Sequence, residues 1–248
     1  MVLNNLISSG DDVDVYELGG NAVKVFKEHM PKTATLYEAL THARVETTGI
    51  KIPIIHEVSV IEGKWAITMD LIRGKTLAEL MEENPDKMDE YIDLMVDLHL
   101  EIHSKSMPLL SKLKDKMVRM IKSLTTINEI EKYELLTKLD SMPKHTKLCH
   151  LNFTPQNIVI NESGTYVLDW VAARQGNASA DVAMTYLKLN LEMPHIAEKY
   201  LDKFCEKSGT AKKYVQSWLP IVAAARLKLE IPEEKDLLMK WIDVVDYE

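Results

Sequence analysis

Cysteine is scarce in this 248-residue chain, which holds only Cys149 and Cys205. Two thiols so far apart make neither a disulfide framework nor a metal-ligand spacing, so a reducing compartment is expected. No apolar run reaches the length of a membrane span, and Met1-Val2-Leu3-Asn4-Asn5 lacks the basic and apolar regions of a signal peptide. The expectation is a soluble, cytoplasmic protein with no membrane partner. Positive charge is also in deficit: 30 basic against 38 acidic residues leave a net charge of −8. That balance argues against a nucleic-acid partner and favours a cationic or neutral one. Repeats and low-complexity segments are absent. The length allows a sizeable core, as one large domain or as two small lobes sharing a cleft.

The most informative stretch runs from Leu148 to Ile160, Leu-Cys-His-Leu-Asn-Phe-Thr-Pro-Gln-Asn-Ile-Val-Ile, and is followed by Val167-Leu168-Asp169-Trp170. Polar groups at fixed spacing sit between short β-branched runs, which reads as a loop carried by strands, with Asn161 to Gly164 as the next turn. A kinase catalytic loop has the form His-x-Asp-x-x-x-x-Asn, with a metal-binding Asp on the following strand. His150, Asn152 and Asn157 fit that frame, and Asp169 takes the metal position. One residue departs from it, because the base position holds Asn152.

Upstream, two apolar runs between Val13 and Lys27 are broken by Gly19-Gly20-Asn21, a hairpin with a glycine turn. Lys24 lies on its second strand. Helical spacing covers Pro31 to Gly49, with Leu36, Ala39, Leu40 and Ala43 expected as the inward stripe. Glu38 lies beside that stripe, with Glu46 as a second acidic candidate. Strands are expected over Ile52–Val60 and Lys64–Met69, joined at Glu62-Gly63, followed by a helix capped at Thr76 with Glu79 three residues on. From Asp86 onward the pattern turns helical. Ile92, Met95, Val96, His99 and Ile102 mark one buried face, and Leu109–Leu124 and Ile127–Leu139 predict two more helices. His99 and His103 have a metal-compatible spacing but no third ligand nearby in sequence, which favours histidines of a core or interface. Ala172 to Gly176 reads as a loop, and Asp181 sits in the first turn of another helix, where an acid normally caps. Leu187–Leu191, Ile196–Phe204, Trp218–Leu229 and Leu237–Val245 complete the helical part, with Pro220 in a first turn or at a kink.

With Lys24, Glu38, the 150–157 loop and Asp169-Trp170 in this order, the chain resembles the aminoglycoside phosphotransferase and choline kinase family. Pro155 and Trp170 separate it from protein kinases. The resemblance implies an α+β, two-lobed protein-kinase-like fold: a small antiparallel-sheet lobe over residues 1–73 that binds nucleotide, and a mainly helical lobe over 74–248 that carries the catalytic and metal-binding loop. It implies ATP or GTP as phosphoryl donor, Mg2+ held by Asn157 and Asp169, and a small-molecule hydroxyl acceptor, cationic in several relatives. Lys24 would contact the phosphates, braced by Glu38 and covered by the Gly19-Gly20 turn. Asp70 and Ile72 would offer backbone groups to the base of the nucleotide, and His150 and Asn152 would serve the catalytic position. Asp181 would brace the loop, and His103 would have a structural role. The acidic residues Glu230, Glu233, Glu234, Asp236, Asp243 and Asp246 are assigned to no site.

A carboxamide accepts a hydrogen bond but is not basic enough to take a hydroxyl proton. Two explanations of Asn152 stay open, a natural loss of the base or a substitution introduced to trap a complex. The alternative function is a nucleotide-binding pseudokinase or scaffold without chemistry.

Overall fold

In the computed structural model, which describes residues 3 and 5–242, strands come first and helices later. The elements in chain order are β1 (Asn5–Ser9), β2 (Val13–Leu18), β3 (Asn21–Phe26), α1 (Lys32–Glu46), β4 (Ile55–Ile61), β5 (Lys64–Asp70), β6 (Lys75–Thr76) and α2 (Leu77–Glu83). Then come α3 (Met88–Ser104), α4 (Leu113–Lys122), α5 (Glu129–Ser141), β7 (Lys147–Cys149), β8 (Ile158–Asn161), β9 (Gly164–Val167) and β10 (Arg174–Gly176). The chain ends in α6 (Ala178–Glu192), α7 (Pro194–Ser208), α8 (Lys212–Gln216), α9 (Leu219–Leu227) and α10 (Lys235–Ile242). Residues 243–245 of the last expected helix, with Asp243 and Asp246, lie outside the described residues. No described helix is long and apolar enough to cross a membrane.

Contacts group the chain into two compact units, Met1–Asn84 with Pro155–Ala172, and Pro85–Thr154 with Ala173–Glu248. This grouping differs from a single cut at residue 73. β8 pairs with β6 and β9, so the segment that carries Asn157 and Asp169 is held by the N-terminal unit through backbone hydrogen bonds.

The first unit is built on a five-stranded antiparallel sheet of order β1-β2-β3-β5-β4. β2 and β3 turn at Gly19-Gly20, where φ of +60° and +83° suits a tight hairpin whose twist matches its strands. β-strand alternation then decides the faces of β3: Val23 and Val25 pack with Ala66 on one side, while Phe26 packs with Ala39 of α1 and Ile67 on the other. Lys24 shares the parity of Phe26 and so projects toward α1. The buried face of α1 is Thr35, Glu38, Ala39, Thr41, His42 and Val45. The expected stripe is corrected here, for Leu36, Leu40 and Ala43 are exposed and only Ala39 of that set is buried. Turning Glu38 inward puts residues two positions on either side of it outward, whatever their hydropathy. α2 begins at Thr76 with a reciprocal capping box to Glu79.

The second unit buries α3 along Ile92, Met95, Val96, His99 and Ile102, with His103 beside them. α7 lies along α3 in register, so that Lys199 meets Asp89 at 2.8 Å, Lys203 meets Asp93 at 3.5 Å, and Lys207 meets Asp93 at 2.8 Å and Asp97 at 2.7 Å. A step of four residues on both helices produces this ladder, since residues four apart share a helix face. Residues 174–176, expected as loop, form β10 and pair with β7, Arg174 opposite Cys149. That pairing anchors the strand that leads into the 150–157 loop. Pro220 takes its place in the first turn of α9, where its missing N–H costs no helical bond.

Candidate active site

In the first unit, Lys24 is half-buried and its Nζ forms a close ion pair with Glu38 of α1. Asp169 approaches the same ammonium at 3.7 Å. Burial works against charge on Lys24, but the Glu38 and Asp169 carboxylates outweigh it and raise its pKa above the ordinary lysine value. Glu46, the other acidic candidate, instead accepts from the Ile55 backbone N–H at 2.9 Å.

Asp169 follows β9 with φ of +61°, a left-handed conformation that sterics make costly outside glycine. The Leu168 N–H donates to the Asn157 carbonyl at 2.8 Å, so the backbones carrying Asn157 and Asp169 are tied side by side. The Trp170 indole N–H donates to Val167 O at 2.9 Å and its ring is buried, which locks the chain just after Asp169. Asp169 carries a partly exposed carboxylate and Asn157 a carboxamide, both sources of the hard oxygen that Mg2+ takes. Gly19 and Gly20 are exposed at the hairpin tip. Asp70 ends β5, its N–H bonded to Ile54 O and its carboxylate accepting from Ile54 N and His56 Nε2. Ile72 lies in the half-buried segment after β5.

The second unit holds the other half of the loop. Asp181 on α6 is fully buried and accepts from the His150 and Leu151 backbone N–H groups, each at 2.7 Å. Leu151 has φ of +63°, and these two bonds hold the loop in that unfavourable conformation. Asp181 also lies 3.1 Å from His99 Nε2 and 3.0 Å from His103 Nε2. A carboxylate can only accept, so both Nε2 atoms carry protons. His99 Nδ1 in turn accepts from the Tyr200 hydroxyl at 2.6 Å. Burial pushes the His99 pKa down to about 3, which keeps the imidazole neutral. Burial opposes ionisation of Asp181, yet His99 and His103 outweigh it and hold its carboxyl well below the usual range.

Two sequence expectations change here. The helix cap is Asn177, whose side chain accepts from Ser179 N, while Asp181 turns inward to the loop. The histidine pair does have an acidic partner, for His99, His103 and Asp181 place their polar atoms within 4.8 Å of one another. The carboxylate's oxygens are taken up by four N–H groups, which makes the cluster a hydrogen-bonded frame.

His150 is buried, and its Nδ1 accepts from the Asn152 backbone N–H at 3.1 Å. The Asn152 side-chain oxygen accepts a close hydrogen bond from Lys188 Nζ. With Oδ1 engaged by an ammonium, the carboxamide turns its N–H donors away from Lys188. Lys188 is not among the residues that the sequence singles out. Its position in mid-helix, 36 residues from its partner, carries no local signal.

Residues 5–214 match the sequence profile of the phosphotransferase enzyme family known as APH. No curated protein sequence matches the chain. Among solved structures, a thermostable mutant of the aminoglycoside phosphotransferase APH(4)-Ia in its apo form superposes with a TM-score of 0.68 at 13% identity, covering 96% of this chain and 90% of that one. ADP-bound APH(2'')-Ib gives 0.63 at 18% identity, with 96% and 90% covered. A choline/ethanolamine kinase family protein from Mesorhizobium loti gives 0.64 at 12% identity, with 97% and 85% covered. Such identities speak for the fold, a kinase-like α+β architecture. The profile, spanning most of the chain, speaks for descent, and the chain belongs to the phosphotransferase enzyme family.

Proposed function

We propose that this protein is a nucleotide-dependent phosphotransferase acting on a small-molecule hydroxyl, with ATP or GTP as donor, and that Asn152 slows its chemistry. The observation that carries the reading is the Lys24–Glu38 ion pair with Asp169 beside it. A half-buried lysine held charged by two acids on separate elements has the electrostatics needed to receive phosphate oxygens.

In this reading the Lys24 ammonium binds the donor phosphates while Glu38 fixes its direction. The Gly19-Gly20 tip closes over the phosphates with backbone N–H groups, and backbone groups of Asp70 and Ile72 meet the nucleotide base. Asp169 and Asn157 hold Mg2+, which when bound neutralises charge on the transferring phosphoryl group. His150 positions Asn152 through its backbone N–H. Transfer forms a bond between the acceptor oxygen and the γ-phosphorus and breaks the bond to the leaving nucleoside diphosphate. Because Asn152 cannot take the hydroxyl proton, that proton passes to water, at a rate cost of about 10² to 10⁴. A scaffold without catalysis would share the nucleotide and differ in turnover.

The test compares this chain with Asn152→Asp, using ATP or GTP with Mg2+ and a panel of aminoglycoside, choline-like, sugar and anionic hydroxyl acceptors. The expected result is nucleotide binding by both forms and much faster transfer by the Asp form. Equal turnover would overturn the role given to residue 152. Failure of either form to bind nucleotide would overturn the whole reading.

A further inference from the structure

The second unit contains a cavity of about 420 Å³, lined by the start of α4, the end of α5 with the segment after it, and β10. Small-molecule sites commonly measure about 300–1,000 Å³. Gln175 and Gly176 of β10 line it, and they pair with Leu148 and Lys147 of β7. Thr146, also in the lining, lies just before β7, whereas His150 follows that strand. The cavity therefore sits at the end of β7 away from the 150–157 loop. Gly176 brings α4 close, since a Cβ there would lie 2.8 Å from the Leu113 Cβ.

The start of α4 is chemically incomplete. Its N-cap position holds Lys112, whose ammonium cannot accept a hydrogen bond, and no side chain caps the helix. The N–H groups of Leu113, Lys114 and Asp115 consequently find no partner among the described residues. They also carry the positive end of the helix dipole. Trp218 gives an independent sign. It lines the same cavity, is only 3% exposed, and its indole N–H has no hydrogen-bond partner among the described residues. A buried donor without an acceptor is costly, and a ligand oxygen removes that cost.

Charge points the same way. Lys112 and Lys144 line the cavity and make no ion pair among the described residues. Asp140 is matched by Lys114 at 3.2 Å, which leaves Asp115 as the opposing charge. Leu113, Val118 and Pro143 add apolar surface beside Trp218. Such a lining is rich in donors and poor in free acceptors.

We propose that this cavity binds a small molecule carrying a phosphate or carboxylate group on an apolar body. The oxyanion takes the N–H groups at the start of α4, attended by Lys112 and Lys144, and the body packs on Trp218 and Pro143. Backbone N–H groups and dipole make a helix start an anion site, and lysine adds charge-assisted hydrogen bonds. The site stands whether or not the chain transfers phosphate.

Calorimetric titration and thermal melting of the full chain with phenyl phosphate, benzoate and, as uncharged control, benzyl alcohol test it. Saturable binding of at least one oxyanion with a rise in Tm is expected, and none of benzyl alcohol; the tighter of the two oxyanions identifies the group. Lys112→Asp puts a capping carboxylate on the open N–H groups. That variant should melt no lower than the parent without ligand and should bind about tenfold more weakly or worse, a full decade of affinity. Asp115→Asn, at an exposed position, removes the opposing charge and should tighten binding. Lys24→Met should bind as the parent does, because Lys24 belongs to the other unit. The proposal is overturned if the parent binds neither oxyanion, if benzyl alcohol binds as tightly, if Lys112→Asp binds as the parent does, if Asp115→Asn binds more weakly, or if Lys24→Met abolishes binding.

Discussion

The two units hold their charged residues by opposite means. In the first, Lys24 and Asp169 remain partly exposed and, with the buried Glu38, are balanced by attraction between opposite charges. In the second, Asp181 is wholly buried and is balanced by four N–H groups from two histidines and the loop backbone. Exposure leaves a charge able to exchange its partner for a ligand, whereas full burial commits it to its partners because releasing them would strand it in a low dielectric. The first arrangement suits binding, the second suits holding a strained loop in place.

The sharpest way to break the contrast is to neutralise Asp181. Asp181→Ala strands two backbone N–H groups and two imidazole N–H groups, and a loss of about 3–5 kcal/mol is expected by chemical denaturation. A loss below about 1 kcal/mol would mean that the loop keeps its form without this carboxylate. Next comes acid. His99 stays neutral when folded down to about pH 3 but takes up a proton near 6.5 when unfolded, so the unfolded chain binds more protons in that window. Stability should therefore fall as pH drops from about 6.5 toward 3, and the lowered Asp181 pKa steepens the loss below about 4. Melting temperatures across that range in His99→Gln, which lacks the titrating imidazole, should fall less steeply.

Lys24→Met sharpens the other side. It should abolish measurable nucleotide affinity and lower Tm, because the buried Glu38 loses its cation, but by less than Asp181→Ala, which strands four N–H groups. A Tm loss as large as that of Asp181→Ala would erase the distinction between the units. Lys116 titrates in the same sense as His99 but at alkaline pH: its lowered pKa means that stability should rise between about pH 8 and 10.5, a gain absent from Lys116→Met. The smallest effect is expected in the exposed ladder between α3 and α7. Lys203→Ala should cost less than about 1 kcal/mol and less still in high salt.

Much of the frame was legible because its signals are local. The Gly19-Gly20 turn, the Thr76–Glu79 capping box, the α3 stripe and the His150 to Asn157 spacing each depend on residues a few positions apart. The exposed face of α1 is not legible in this way, because hydropathy places Leu36 and Leu40 inward, whereas the demand that Glu38 meet Lys24 turns them out. β1, fully exposed along Asn5–Ser9, left no alternating pattern to find. β10 is three residues long and acquires its extended form only from pairing with β7.

The sequence by itself determined the order of chemical parts and the periodicity that makes strands before helices, since both follow from near-neighbour sterics and hydropathy. Tertiary structure alone decided which charges meet. Asp181 joins His99 across 82 positions, and Lys188 joins Asn152 across 36. Those encounters depend on chain closure and burial, which set both the partner and the dielectric in which a charge is felt, and neither is written in local spacing.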